Sequence, residues 1–454
     1  MLDKKIVHLH HLIIHTMKKR IIATLVLALG ITVSAKAQFG VFQPSEKFDY
    51  VDEGSGKTIT VLTDTTRNDR FLYQTDPMFT ADGKYIVFRS SSREVITKPK
   101  HSKSTDTKQP TPTRYFFIEL ATGKIIQATD DNQIGGIYLG NRSNVLFYNK
   151  RDEKHQWTLY CMDLGRFFAD AHAGHVKPSK AYEVAIGTFP ESMGRPNNFC
   201  VSCDDRWAYI TVERDGTDEE KEAMMAKAFK PRDNQPIKIK PVLSGIRKMD
   251  LTTGEVSQVA DVDFRTGHIQ CSRFRPEEIV FCNETGGDAD QRMWYCTADG
   301  DSVKPLYHET PLDWVTHETF ASEDYVYFNV LGFQDRLRKQ ASGIFRINLR
   351  TDDIEIIGQV ELSGDATTQL TGRGFWHCNA SRDNRWAAGD TFAGNVWLID
   401  VASGQRTLMA TDARMKPDHA QPFFSPDGKY MFYQSGHFTD GKRLNLMMTE
   451  VKAN

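Results

Sequence analysis

Four histidines in the C-terminal half of the chain, His268, His317, His377 and His419, carry the strongest chemical signal in the sequence. Each lies just ahead of, or within, a short run of aromatic and β-branched residues, and those runs superpose on their second strand. Aligning Tyr85, Trp207, Trp386 and Tyr430 puts Asp76, Asn198, His377 and Gln421 nine residues earlier. The same offset gives His317 and, with Ile279 setting the register, Gln270. Two residues further back, on the same strand face because side chains alternate, are Gln74, His268 and His419. A lone histidine here would read as a hydrogen-bonded structural residue. One in each of four successive repeats points to a shared site.

Imidazole nitrogens with a glutamine carbonyl oxygen suit a borderline divalent metal such as Mn, Zn, Ni or Fe, with open positions for substrate. A neutral histidine that is not a ligand is the natural general base near pH 7. Arg265, Arg292 and Arg373 have the side chain that holds carboxylates bidentately, against the plain reading of solvated surface charges. A metal, a base and carboxylate clamps fit removal of a proton next to a carboxylate. That is the first step in eliminating a 4-linked uronic acid.

The elements that position these residues form a repeat. A polar lead-in, a short strand, a turn and a second strand recur as DPMFTADGKYIVF from Asp76 and YLGNRSNVLFY from Tyr138. They return as CVSCDDRWAYITV from Cys200, CSRFRPEEIVFCN from Cys271 and ETFASEDYVYFNV from Glu318. CNASRDNRWAAGD from Cys378 and PFFSPDGKYMFYQ from Pro422 complete seven copies. A strand–tight turn–strand pattern follows each copy, clearest as YFFIELATGKIIQAT from Tyr115 and VWLIDVASGQRTLMA from Val396. Thr-Gly and Ser-Gly turns between alternating strands are hairpin chemistry. Seven four-stranded units predict an all-β, seven-bladed β-propeller, with a strand near Thr58–Leu62 closing the ring. The inner strand of each blade then lines a central channel, and the histidines converge there.

The rest of the sequence bounds the reading. Residues 1–37 read as a secretory signal peptide: Met17-Lys18-Lys19-Arg20, an apolar stretch from Ile21 to Val33, and Ala35-Lys36-Ala37 for cleavage. Met17 is the better start, which leaves His8, His10, His11 and His15 outside the mature chain. The apolar stretch is short for a membrane span. A periplasmic or secreted protein, with no membrane insertion after cleavage, is therefore expected. Residues 38–454 are expected to form a single propeller domain. The net charge of −2 and pI near 6.7 give no basic field for nucleic acid. Seven scattered cysteines do not make a disulfide framework, and Cys200-x-x-Cys203 lacks a second pair for zinc. A Lys/Ser/Thr/Pro-rich loop is expected from Ser92 to Thr113, and a helical insertion near 218–230.

The run GHIQCSRFRPEEIVFCNETGG, with QRMWYCTADG following, THETF at Thr316 and DHAQPFFSPDGKYMFYQS at Asp418 resemble the oligogalacturonate lyase family. The resemblance is clearest from about Arg247 onward. It implies a seven-bladed propeller that splits galacturonide oligosaccharides by β-elimination with a bound divalent metal, typically manganese. It casts His268 as the catalytic base, His317 and His419 as metal ligands, and Arg292 as a residue near substrate; His377 matches a family histidine. It also shows departures: Gln421 replaces a second histidine of the last element, Lys416 a glutamine ligand, and Leu243 an arginine. Arg265 and Gln270 join Arg292 and His377 as expected substrate contacts, and Gln421 joins the expected metal ligands. Two other readings stand beside this one: a different glycan-cleaving enzyme on the same scaffold, and a non-catalytic TolB-like propeller binding a glycan or protein.

Overall fold

The computed structural model describes residues 39–93, 113–228, 240–332, 337, 342–359, 374–414 and 419–452. These residues belong to one compact unit, Gln38–Asn454. The leader, Arg373, Lys416, Asp418 and most of the loop expected at 92–113 lie outside the described residues.

The unit is a seven-bladed propeller. Seven antiparallel sheets follow one another along the chain. Their inner strands are Asp69–Arg70, Ile134–Leu139, Arg195–Val201, Thr266–Cys271, Val315–Phe320, Phe375–Ala380 and Phe423–Phe424, numbered here as blades 1 to 7. The second strand of each blade is packed between neighbouring blades. It therefore reads as a nearly continuous apolar run, such as YIVF in blade 1 or YVYFNV in blade 5. The ring closes where expected: Ile59, Thr60 and Val61 pair with Thr449, Met448 and Met447 of blade 7. That pairing covers an edge that would otherwise stay open.

Two sequence devices recur. In four blades a Ser or Thr opens the turn before the second strand and bonds an Asp two residues on: Thr80–Asp82, Ser202–Asp204, Ser381–Asp383 and Ser425–Asp427, at 2.5–2.7 Å. Glycine takes the positive φ in the outer hairpins, 74° at Gly123 and 77° at Gly254. All seven cysteines are free thiols, in keeping with a structural role for Cys200 and Cys203.

Among the described residues two α-helices interrupt the strands. Asp218–Ala228 is the one the sequence composition announces. Leu164–His172 is not foreseen, because Trp157–Leu164 reads as strand throughout. The strand runs only to Asp163, whose carboxylate accepts from Arg166 N and caps the helix. Leu164, Phe167 and Phe168 then repeat at helical spacing and are buried, with Phe168 stacked on Tyr85 at 3.8 Å. Among the described residues no helix is long and apolar enough to cross a membrane.

Candidate active site in the central channel

A bulge in the inner strands aims the site residues. In blade 4, Gly267 pairs with Cys282 and Gln270 with Val280, leaving His268 and Ile269 against one residue. Blade 5 repeats this with His317 and Glu318 between Thr316 and Thr319. His268 and His317 adopt φ of 46° and 56°, and Gln421 of blade 7 adopts 51°. Such left-handed backbone costs a side-chain-bearing residue about 1 kcal/mol or more, and bulges of this kind commonly re-aim a side chain beside a site.

The pairing also corrects the register. The last inner-strand residue pairs Cys271–Ile279, Phe320–Val326, Ala380–Ala387 and Phe424–Met431. Three residues before each lie His268, His317, His377 and Gln421, with Asn198 and Asp76 equivalent in blades 3 and 1. His268 therefore sits at the level of His317 and His377, and Gln270 lies two residues beyond. A fixed nine-residue offset fails because the turn varies: eight residues separate the paired positions in blade 4, seven in blade 6 and six in blade 5.

Gln270, expected to touch substrate, is buried with its amide spent between two blades. Its Nε2 donates to Glu318 O and its Oε1 accepts from Phe320 N, both at 2.8 Å. It ties blade 4 to blade 5, as Asn379 and Gln74 tie blades 6 and 1.

One group centres on His377. Asp390, buried in the second strand of blade 6, accepts from His377 N at 2.7 Å and lies 3.1 Å from His377 Nδ1. The oxygen that faces His377 Nδ1, Oδ2, also accepts from Gln421 N at 2.9 Å. Burial pushes the Asp390 carboxyl up, but the His377 charge and these hydrogen bonds outweigh it and hold it below its usual value. His317 and His419 flank His377, with ring centroids 4.2 and 5.0 Å away. Trp376 Nε1 donates to His419 Nε2 at 3.1 Å. Donor atoms of His377, Asp390 and His419 lie within 4.8 Å of one another. His317 Nδ1 is buried with no hydrogen-bond partner among the described residues. Burial, then the neighbouring His377 and Arg292, push His317 well below its usual range.

A second group centres on His268. Its Nε2 lies 3.2 Å from Glu284 Oε2. Burial works against the Glu284 charge, yet the hydrogen bond from His268 and the Arg292 guanidinium bring its carboxyl down to about 2. Arg292 is buried behind this pair, its Nε donating to Glu318 at 3.0 Å and its Nη2 3.9 Å from Glu284. It organises carboxylates of the protein. Tyr73 packs against both histidines, 5.1 Å from His268 and 6.1 Å from His377. Its buried hydroxyl has no hydrogen-bond partner among the described residues.

His268 opens onto a cleft of about 410 Å³ whose wall includes Tyr73, Arg89, Tyr115, Asn197 and Arg265. Arg265 is tied to Glu213 at 2.5 Å. Arg89 is exposed on the same wall, and its side chain makes no hydrogen bond or ion pair among the described residues. Leu243 is buried, and nearby Arg247 is spent on Asp261 at 2.7 Å. Sequence reasoning missed Arg89, Glu284, Asp390 and Tyr73. Asp390 had a signal: a carboxylate inside the buried strand WAAGDT needs a partner.

Fold and site together define a seven-bladed propeller with a histidine–carboxylate cluster in its channel, beside a polar cleft. No family model matches the chain. In sequence it is similar to the oligogalacturonate lyase of Dickeya dadantii (strain 3937), 24% identical over 212 residues. That match spans 43% of this chain and about half, 52%, of the relative. In structure it is similar to an oligogalacturonate lyase in complex with manganese, at 17% identity and TM-score 0.67, covering 91% of this chain and 98% of that one. The oligogalacturonate lyase from Vibrio parahaemolyticus matches at 16% identity and TM-score 0.67, over 91% and 99% of the two chains. The chain thus shares the propeller fold of the oligogalacturonate lyases, and part of its sequence resembles theirs.

Proposed function

We propose that the protein is a polysaccharide lyase that cleaves galacturonides or related uronic-acid oligosaccharides by β-elimination. The observation that carries the reading is His268, held in a left-handed bulge, paired with Glu284, and opening onto a cleft with an arginine, Arg89, that has no ion-pair partner among the described residues. The similarity to oligogalacturonate lyases supports it.

Glu284 accepts from His268 Nε2–H, which leaves Nδ1 as the atom that takes a proton. In the reaction the bond between C5 and its hydrogen breaks and the proton passes to Nδ1. The C4–O bond then breaks, the C4–C5 double bond forms, and the departing oxygen takes a proton from solvent, to which the imidazolium later returns its own. Glu284 stabilises the imidazolium so created. Arg89 and Arg265 face the carboxylate of the bound uronide, and Tyr73 packs beside the reacting ring.

The residues present fit a divalent metal. His377 and His419, of the converging group they form with Asp390, would hold it, joined by His317, whose ring lies 4.2 Å from that of His377; Asp390 orients His377 and positions Gln421. A His317 Nδ1 with no hydrogen-bond partner among the described residues, in surroundings that disfavour the charged ring, suits a ligand. When bound, the cation neutralises the substrate carboxylate and acidifies the adjacent proton; manganese is the proposed ion, as in the similar solved lyase.

With residues 1–37 read as a leader, the protein acts in the periplasm or outside the cell. Gln421 and the buried Leu243 favour a second reading, a glycan-binding propeller without catalysis. The deciding experiment mixes the mature protein with oligogalacturonides and follows ultraviolet absorbance of the unsaturated product, with manganese or with chelator. The lyase reading expects a metal-dependent rise that His268→Ala lowers by about 10² to 10⁴. No rise with any uronide, from folded protein, leaves the binding propeller.

A further inference from the structure

A second cavity, of about 260 Å³, lies where the inner strands run into their first turns. Asp76, Asn141, Arg273, Asn379, Arg382 and Ser425 contribute to its wall, from blades 1, 2, 4, 6 and 7. Asp76 also lines the His268 cleft, so it stands between the two spaces. Arg273 and Arg382 occupy one position in the repeat, each directly after the serine that opens the turn before the second strand. The other blades place Ala81, Asn141, Cys203, Glu323 and Pro426 there. Glu323, the one acid among them, lies 3.4 Å from Arg275 instead.

The charges in this cavity do not balance. Neither Arg273 nor Arg382 has an ion-pair partner among the described residues. Arg273 makes one hydrogen bond, from Nη2 to Thr75 O at 3.3 Å. Arg382 is exposed and makes none among the described residues. Burial in the cavity, then repulsion from Arg273, pushes the Arg382 guanidinium down to about 10. Asp82, also in the wall, is spent on Thr80 and on Lys84, 3.6 Å away. Asp76 is nearest in kind to a counter-ion, but burial raises its carboxyl to about 6 against the pull of Arg273 and Arg89. Two guanidinium groups thus line one cavity, with Asp76 the one carboxylate of its wall not already spent on a neighbour. Like charges held in one wall repel, and an anion between them relieves that repulsion.

We propose that this cavity binds a small oxyanion between Arg273 and Arg382, a site separate from the His268 cleft and independent of whether that cleft is catalytic. Guanidinium forks match the oxygens of phosphate, sulfate or a carboxylate. The oxyanion has two possible sources, a free inorganic anion or the carboxylate of a sugar acid.

Calorimetric titration of the mature protein with phosphate, sulfate and monomeric galacturonate, at ionic strength matched with sodium chloride, tests this. Saturable binding is expected, weakened about tenfold or more by Arg382→Gln and by Arg273→Gln, and retained by His268→Ala. Tighter binding of the inorganic anions, or of galacturonate, identifies the source. Arg382→Gln alters a solvent-contacting side chain and decides the matter even where Arg273→Gln fails to fold. No saturable binding by any of the three, or equal binding by folded Arg382→Gln, overturns the proposal.

Discussion

Glu284 Oε2 lies 3.2 Å from His268 Nε2, joining the bulge of the inner strand in blade 4 to the end of the strand beside it. The contact fixes both the orientation and the tautomer of the ring. Glu284→Gln is therefore expected to lower kcat by about 10²-fold with little change in KM, while Glu284→Asp retains part of the activity. An equal loss in both variants, or a loss confined to KM, would remove Glu284 from its positioning role.

The same pair has a signature in stability. Glu284 titrates at about 2 in the fold against an ordinary 4.5. A carboxyl depressed by folding stabilises the protein fully above its unfolded value, and that contribution is lost as pH falls from about 4.5 through about 2. Acid unfolding followed by tryptophan fluorescence should therefore be steeper in that window for the native protein than for Glu284→Gln. Parallel curves for the two would contradict the depressed value.

Asp390 serves both His377 and the Gln421 backbone, so removing its charge disturbs a proposed metal ligand and the residue beside it at once. Asp390→Asn is expected to weaken manganese binding by about 10- to 100-fold, read by titration calorimetry. Gln421→His runs the other way. His317 already holds an imidazole at φ of 56° in the equivalent position, so a histidine at φ 51° is accommodated. It adds a nitrogen donor, and binding should tighten by about tenfold or more.

The propeller was legible in the sequence because its units repeat: the turn serines, the hairpin glycines and the apolar second strands announce seven blades. The site was legible in residue type and blurred in register. His268, His317, His377 and Gln421 stand at one level, yet turns of different length hid the equivalence of His268 and promoted Gln270 into its place. Arg89 and Glu284 were invisible for another reason. Arg89 is an exposed strand residue of blade 1, and only the closed ring brings it to a cleft shared with blade 4. Arg292 looked like a substrate clamp because an arginine says nothing of whether its carboxylate belongs to a ligand or, as with Glu318, to the protein.

Those placements separate binding residues from structural ones. Arg89→Gln should raise KM for a uronide about tenfold or more, the scale of a lost charge-assisted contact, and leave the thermal midpoint nearly unchanged because its side chain is exposed and has no ion-pair partner among the described residues. Arg265→Gln should have a smaller effect on KM, since Glu213 already competes for that guanidinium. Gln270→Ala should do the reverse. It strands the Glu318 carbonyl and the Phe320 amide between two blades, costing about 1–3 kcal/mol of stability without weakening substrate binding in the folded fraction. Thermal denaturation and steady-state kinetics on all three variants read both quantities. A Gln270→Ala variant of native stability with raised KM would return Gln270 to the substrate cleft.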